Sequence, residues 1–159
     1  MLNKKRKERI IAMATNDNTT IHFIPNYSVG DFILETPIYL YLGKPHSVEK
    51  YKERYFEYDS YYFFEEDISV NVENGIVSDI ICENNIFWDN NNLIGMNFNL
   101  FLLKFNLKYD SFEKIYLSGL RQTHQVYDFD KLGLQVWVWR NLIRTVIVSK
   151  YEEEDECTS

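Results

Sequence analysis

Aliphatic residues occupy every second position in two stretches of the chain, 68–72 and 134–138. A period of two is typical of a β-strand that buries one of its faces. Asn74-Gly75 follows the first stretch and Arg140-Asn141 follows the second. Both pairs suit the two-residue turn of a hairpin, where the backbone adopts positive φ. The pattern therefore predicts that each stretch is the first strand of an antiparallel hairpin.

The two stretches belong to a longer internal match between residues 29–84 and residues 94–150, with a shift of 65 that widens to 66. The dense apolar segments 32–42 and 98–107 coincide in this match, and each is interpreted as a helix. We therefore predict an α+β fold of two pseudo-duplicated units. Each unit is one helix followed by a three-stranded antiparallel meander, and the two meanders form a curved antiparallel sheet that can hold another protein.

The composition is sufficient for a packed core, since 45% of the 159 residues are hydrophobic and 16% are aromatic. We expect a basic head and linker over 1–19 and a single domain over 20–150. Its two repeats span about 24–84 and 93–150. The acidic tail over 151–159 is expected to be disordered.

The formal net charge is -7 and is unevenly distributed. Lys4 to Arg9 holds five Lys/Arg and one Glu, and Glu152 to Glu156 holds five acids, which leaves -6 on the body. An acidic body repels nucleic acids and anionic membranes and attracts basic proteins. Plain solubility explains the same charge equally well. No apolar run has the length of a signal peptide or of a membrane span, so we expect a cytoplasmic protein.

Side chains that carry chemistry are few and scattered. The three histidines and two cysteines have no metal-ligand spacing, and no phosphate-binding, dinucleotide-binding or nucleophile motif is present. Glu65-Glu66-Asp67 is interpreted as a solvated turn, because adjacent residues point in different directions. The sequence therefore predicts no enzyme, no metal site and no cofactor.

A binding surface is predicted from the second hairpin. Trp137 and Trp139 stand on the strand face where the first hairpin has Asn71 and Glu73. Tryptophan is the residue type most enriched at binding hot spots. The alternative is that the N-terminal segment or a helix covers both indoles as a second small core. The predicted partner-binding residues are Trp137, Trp139, Gln135, Arg140, Glu65, Glu66, Asp67, Glu73 and Trp88.

A resemblance to known repeats covers roughly residues 23–150. Gly30 before an apolar segment, the stop at Leu42-Gly43-Lys44-Pro45, and then an aromatic strand and a hairpin resemble one known unit. It is the helix-plus-meander unit of the β-lactamase inhibitory proteins and of small outer-membrane-assembly lipoproteins. Ile24-Pro25 and Leu93-Ile94-Gly95-Met96 resemble repeat openings of bacterial immunity proteins, such as those of contact-dependent growth-inhibition systems.

The resemblance implies a cytoplasmic immunity protein that binds a toxin domain, expected to be a basic nuclease, and blocks its active site. Two other hypotheses stay open. One is a homo-oligomeric scaffold that buries Trp137 and Trp139 in a homodimer, and the other is a small hydrolase or ligand-binding domain that uses an aromatic concavity.

Overall fold

The computed structural model describes residues 20–153. Eight of the strands form one antiparallel sheet in the order β10-β11-β12-β13-β7-β6-β5-β4, which we call the main sheet. The described residues contain one α-helix and two 3-10 turns, Ile38–Tyr41 and Asp130–Leu132. The elements are β1 (Phe23–Ile24), β2 (Ser28–Val29), β3 (Phe32–Ile33), β4 (His46–Lys52), β5 (Glu57–Phe63), β6 (Ile68–Glu73), β7 (Ile76–Cys82), β8 (Phe87–Trp88), β9 (Asn91–Asn92), α1 (Phe98–Lys104), β10 (Ser111–Leu117), β11 (Gln122–Phe129), β12 (Leu134–Trp139) and β13 (Leu142–Ser149).

The predicted α+β class, with two helix-plus-meander repeats, is wrong. Strands make up 51% of the structure and helices 10%. The first predicted helix, over 32–42, is instead β3, a turn and a 3-10 turn. Glu35 has a φ of 62°, and Pro37 disfavours helical backbone at the residue before it. The second segment does form α1, because the Asn97 side chain accepts a hydrogen bond from the Leu100 amide at the helix start.

The segments 47–58 and 109–123, for which the pattern predicted no strand, contain paired strands. Residues 46–52 form β4 on β5, and residues 111–117 form β10 on β11. Each meander therefore has four strands and not three. Both β4 and β10 are edge strands and are largely exposed, so their sequences lack the one-sided apolar pattern of a half-buried strand.

The two meanders join where β7 and β13 lie side by side, with Ile80 opposite Val148. The β6–β7 hairpin and the β12–β13 hairpin each have a register shift near the turn. Ser78 is the residue without an opposite partner in β7, and Arg144 is the one in β13. A bulge of this kind lets an extra residue point away from the regular alternation.

The core lies on one side of the main sheet, which we call the inner face. Aliphatic residues of the sheet such as Val70 and Val136 are fully buried there against Phe101 of α1 and Phe32 of β3. The helix and the short hairpins thus pack on the inner face. The opposite side, the outer face, carries the alternate residues of the same strands. In the described part of the chain, no helix covers it.

The predicted terminal segments fall mostly beyond the described range. The basic head over 1–19 and residues 154–159 of the acidic tail lie outside it. Residues 151–153 have no regular secondary structure, and the amide of Tyr151 donates a 2.9 Å hydrogen bond to the side-chain oxygen of Asn26. The start of the tail therefore lies against the body. Between residues 20 and 153, no helix has the length and apolar character needed to cross a membrane.

Candidate functional site

The antiparallel register places polar and aromatic side chains side by side on the outer face. Asp128 lies opposite Gln135, and Gln135 lies opposite Ile147. Two residues further along β12, Trp137 lies between Val126 and Thr145. These side chains come from three strands that are adjacent in space. The predicted grouping of Gln135 with the tryptophans on one face is thereby observed.

A chain of hydrogen bonds holds Trp137 in place. Its indole Nε1–H donates to Gln135 Oε1 at 2.8 Å, and Gln135 Nε2 donates to Asp128 Oδ1 at 2.9 Å. The hydroxyl of Ser111 donates to the other oxygen of Asp128, also at 2.9 Å. Val126, directly opposite Trp137, is 2% exposed. Trp137 itself is half-buried, and side chains of the sheet hold its indole in place.

A groove of about 1120 Å³ opens on the outer face near the Leu134 end of β12, and residues 150–153 are among those that line it. Lys150 also lines the groove, but its ammonium pairs with Glu35 at 2.9 Å. Among the residues that the structure describes, the groove carboxylates make no ion pair. We call this surface the acidic groove, and its carboxylates are those of Asp79, Asp128, Asp130, Glu152 and Glu153.

Two groove carboxylates hold their protons more tightly than usual. Burial raises the pKa of Asp79, a hydrogen bond from Asn71 partly offsets this, and the charge of Glu73 adds to the increase. Desolvation also raises the pKa of Asp130, and the charges of Asp110 and Asp128 add to the effect. A nearby cation would favour the ionised form that burial and like charges disfavour in both groups.

The far end of the outer face has the opposite charge. The guanidinium carbon of Arg140 lies 4.4 Å from the centroid of the Trp139 ring, and that of Arg144 lies 5.5 Å from it. Both arginines are exposed. We call Trp139, Arg140 and Arg144 the arginine–tryptophan cluster. It lies roughly 13 Å from Gln135 along β12, at about 3.3 Å per residue.

His124 packs beside Trp139, on the neighbouring strand β11. Its ring is nearly parallel to that of Trp139, with an interplanar angle of 13° and a centroid distance of 6.3 Å. It is only 5% exposed, and its Nε2 lies 3.0 Å from Gln122 Oε1. Burial lowers the pKa of His124, and the positive charge of Arg144 lowers it further. The imidazole is therefore neutral near pH 7, with Nε2–H as the donor to Gln122.

The four acidic residues predicted to bind a partner, Glu65, Glu66, Asp67 and Glu73, do not line the acidic groove. Glu66 in the β5–β6 turn pairs with Lys44 at 2.9 Å, and Asp67 accepts hydrogen bonds from Tyr62 and Asn84. These two carboxylates therefore stabilise the turn. Glu65 and Glu73 are exposed. Glu73 is the last residue of β6, and β6 pairs with β7, the strand that carries Asp79.

Trp88 belongs to a different part of the molecule from the other two tryptophans. Its ring stacks on Phe105 at 4.3 Å with an interplanar angle of 7°, and it meets Phe23 edge-on at 5.4 Å. It packs against the core cluster of the inner face. The sequence did not reveal this packing, because Phe23 and Phe105 are distant from Trp88 in the chain.

Several residues of this face were missed by sequence reasoning, because their neighbours come from strands distant in the chain. Asp79 on β7 and Asp128 on β11 line the same groove, although β12 and β13 lie between their strands. Arg144 reaches Trp139 because it is the bulge residue of β13. His124 and Asp130 complete the missed set. No local pattern marked His124 or Asp130, because neither has an aliphatic residue next to it in the chain.

In residues 20–153, no group of three His, Cys, Asp or Glu side chains could hold a metal ion. No family model, curated protein or solved structure matches this chain. The charge and chemistry of the outer face are therefore the features of this chain that bear on its function.

Proposed function

We propose that this protein is an immunity-type inhibitor, which binds a basic toxin domain over its outer face and blocks the toxin's active site. The acidic groove carries the proposal. Its five carboxylates line a groove of the outer face that no described helix covers, and they make no ion pair within the described chain. A groove of this charge suits a basic protein surface.

The active site of a nuclease toxin binds phosphates, so it presents cationic side chains. Groove carboxylates such as Asp79 and Asp130 would occupy the positions of those phosphates. A bound cation favours the ionised carboxylate, so binding lowers the raised pKa values of both groups and releases protons. Affinity is therefore expected to increase as pH rises through the range in which they titrate.

Trp137 supplies contact area beside the groove. The indole is half-buried and held by Gln135, so little conformational freedom is lost when a partner covers it. Electrostatic attraction to the groove accelerates the encounter, and burial of the indole slows dissociation. We propose a cytoplasmic location, because a toxin that cleaves nucleic acid has to be neutralised where its substrate lies.

Co-expression tests the proposal. The chain is expressed with the C-terminal segment of the protein encoded immediately upstream, and growth rescue and co-purification are measured. Rescue with a salt-sensitive complex is the expected result. Toxicity that this chain neither relieves nor binds would contradict the proposal, and so would an upstream segment that is not toxic.

Two matched variants connect the result to the groove. Both remove three exposed negative charges, so they change the net charge equally. The groove triple variant is Asp130→Asn, Glu152→Gln and Glu153→Gln. The control triple variant, whose residues lie outside the groove, is Glu53→Gln, Glu57→Gln and Glu83→Gln. Rescue is expected to weaken in the groove triple variant alone.

A homo-oligomeric scaffold is the second candidate, and the edge strand β10 favours it. Phe112 is 46% exposed and Tyr116 is 63% exposed on this strand. Exposed apolar residues on a free sheet edge can pair with another copy. A molar mass that increases with concentration, without any heterologous partner, would favour this candidate. The inhibitor proposal expects the unbound protein to be monomeric.

A further inference from the structure

We propose that the arginine–tryptophan cluster is a carboxylate-binding site, which takes an Asp or Glu side chain of the bound protein partner. The existence of that partner rests on the proposed function, and the site adds a second point of contact of opposite charge. The partner would place its basic surface in the acidic groove and one acidic side chain at Trp139, Arg140 and Arg144.

Two guanidinium groups converge on one indole without an acid to neutralise them. Arg140 and Arg144 lie 4.4 and 5.5 Å from the Trp139 centroid, and neither makes an ion pair with any described residue. Stacking on an aromatic ring orders a guanidinium and leaves the N–H donors at its edge free. Two parallel N–H donors match the two oxygens of a carboxylate.

The local backbone does not require arginine at either position. Arg140 has a φ of 52° in its turn, and the same turn position of the first hairpin holds Asn74 with a φ of 50°. Asparagine tolerates this left-handed conformation better than arginine does. Arg144 is a bulge residue, and the corresponding bulge residue of the first hairpin is Ser78. The two arginines are therefore best explained by what their guanidinium groups bind.

A buried polar atom lies beside the cluster. Nδ1 of His124 is fully buried and has no hydrogen-bond partner among the described residues. Buried polar atoms without partners are rare in folded proteins and call for an explanation. Neutral Nδ1 is an acceptor, so a group that satisfies it has to donate a hydrogen bond, whereas a carboxylate bound at Arg144 would act on His124 by offsetting the positive charge that lowers its pKa.

The occupant is a protein carboxylate because of the charge around the cluster. A polyanion such as a nucleic acid or an anionic membrane would also approach the acidic groove, where the carboxylates of Asp128 and Asp130 repel it. A basic protein that carries one acidic side chain is attracted at both ends of the outer face. Opposite charges at the two ends also select one orientation of the partner.

The test uses the purified chain alone, and it follows the indole N–H signals in nuclear magnetic resonance spectra. The probe is an acetylated tetraglutamate peptide, and inorganic phosphate is titrated separately at the same concentrations. A saturable shift of the Trp139 signal with the peptide is expected. The double variant Arg140→Asn/Arg144→Ser carries the residues of the first hairpin, so it retains suitable turn and bulge residues. We expect it to bind the peptide at least tenfold more weakly.

The control double variant is Lys50→Ser/Arg54→Ser, which removes two exposed cations outside the cluster. It is expected to bind the peptide as the unmodified chain does. If Arg140→Asn/Arg144→Ser does not fold, Arg144→Ser alone gives the same comparison. The proposal is overturned if the peptide causes no saturable shift or if the cluster variant binds it undiminished. It is also overturned if phosphate shifts Trp139 as strongly as the peptide does.

This test needs no toxin domain, so its outcome is separate from that of co-expression. A positive titration without growth rescue would retain the carboxylate site and remove the inhibitor function. Growth rescue without any peptide binding at Trp139 would retain the function and remove the site.

Discussion

The indole nitrogen of Trp137 donates a 2.8 Å hydrogen bond to the side-chain oxygen of Gln135. The same glutamine donates to Asp128, so the aromatic surface and the acidic groove share one side chain. Gln135 fills the position that Ser69 occupies in the first hairpin, and serine is too short to bridge two such groups. The second hairpin thus has a bridge between its hydrophobic and charged parts.

Truncation of Trp137 is expected to weaken partner binding. Trp137→Ala should cost about 2 kcal/mol or more in binding free energy, since a half-buried, ordered indole has the character of a hot spot. Trp137→Phe should cost less, because it keeps most of the apolar area and loses the N–H donor. Calorimetry with the toxin domain identified by growth rescue measures both. Tyr55→Ala, at a position that is 82% exposed in the β4–β5 turn, is the control. Unchanged affinity in folded Trp137→Ala protein would remove Trp137 from the interface.

Groove charge is expected to control the rate of association. The groove triple variant should associate up to about tenfold more slowly at low salt, because three charges that attract the partner are lost. Its association rate should also depend less steeply on ionic strength. Stopped-flow kinetics over a salt series measures both quantities. Equal rates for the groove and control triple variants would show that net charge alone attracts the partner.

Gly133 is expected to tolerate no side chain. Its φ is 60°, and a Cβ atom there would lie 1.8 Å from the carbonyl oxygen of Ser149. Gly133→Ala should lower the free energy of unfolding by at least about 2 kcal/mol, through overpacking and backbone strain. Gly119→Ala, where a Cβ meets no atom within 4 Å, is the matched control. Urea unfolding compares the two, and similar midpoints would contradict the packing around Gly133.

His124 is expected to make the fold less stable in mild acid. Burial and Arg144 lower its pKa below the ordinary value of about 6.5, so between these two values the unfolded chain binds a proton that the folded chain resists. The stability from neutral His124 is therefore complete above about pH 6.5 and is lost as pH falls towards the lowered pKa. Urea unfolding measures the free energy of unfolding at about pH 7.5 and about pH 5.5. This free energy should fall less between the two pH values in His124→Phe than in the unmodified chain. His22→Gln, at an exposed histidine, should keep the full loss.

Cys82 is expected to be unreactive in the folded protein. Its side chain is fully buried in the core, and burial raises the pKa of the thiol to about 12. The thiolate is the reactive form, so a thiol reagent should reach Cys82 only when the core opens. Labelling is measured in a Cys157→Ser background, because Cys157 lies outside the described residues. Stoichiometric labelling within seconds under native conditions would contradict the burial.

The hairpins of both meanders were predictable because their signals are local. Aliphatic residues at every second position and turn residues with positive φ predicted β6, β7, β12 and β13, and the structure confirms these strands. The edge strands β4 and β10 were not predictable from the pattern. A strand exposed on most of its positions has no buried face to impose alternation, and its identity depends on the strand beside it.

The sequence by itself determined which residues alternate, where the hairpins turn, and that Gln135, Trp137 and Trp139 share a face. Only the tertiary structure decided which residues of other strands lie next to these three side chains. Pairing of β13 with β7 joins the two meanders and brings Asp79 and Asp128 to one groove. A bulge brings Arg144 over Trp139. These contacts join residues far apart in the chain, and strand order and register are set by packing of the whole sheet, which no local pattern contains.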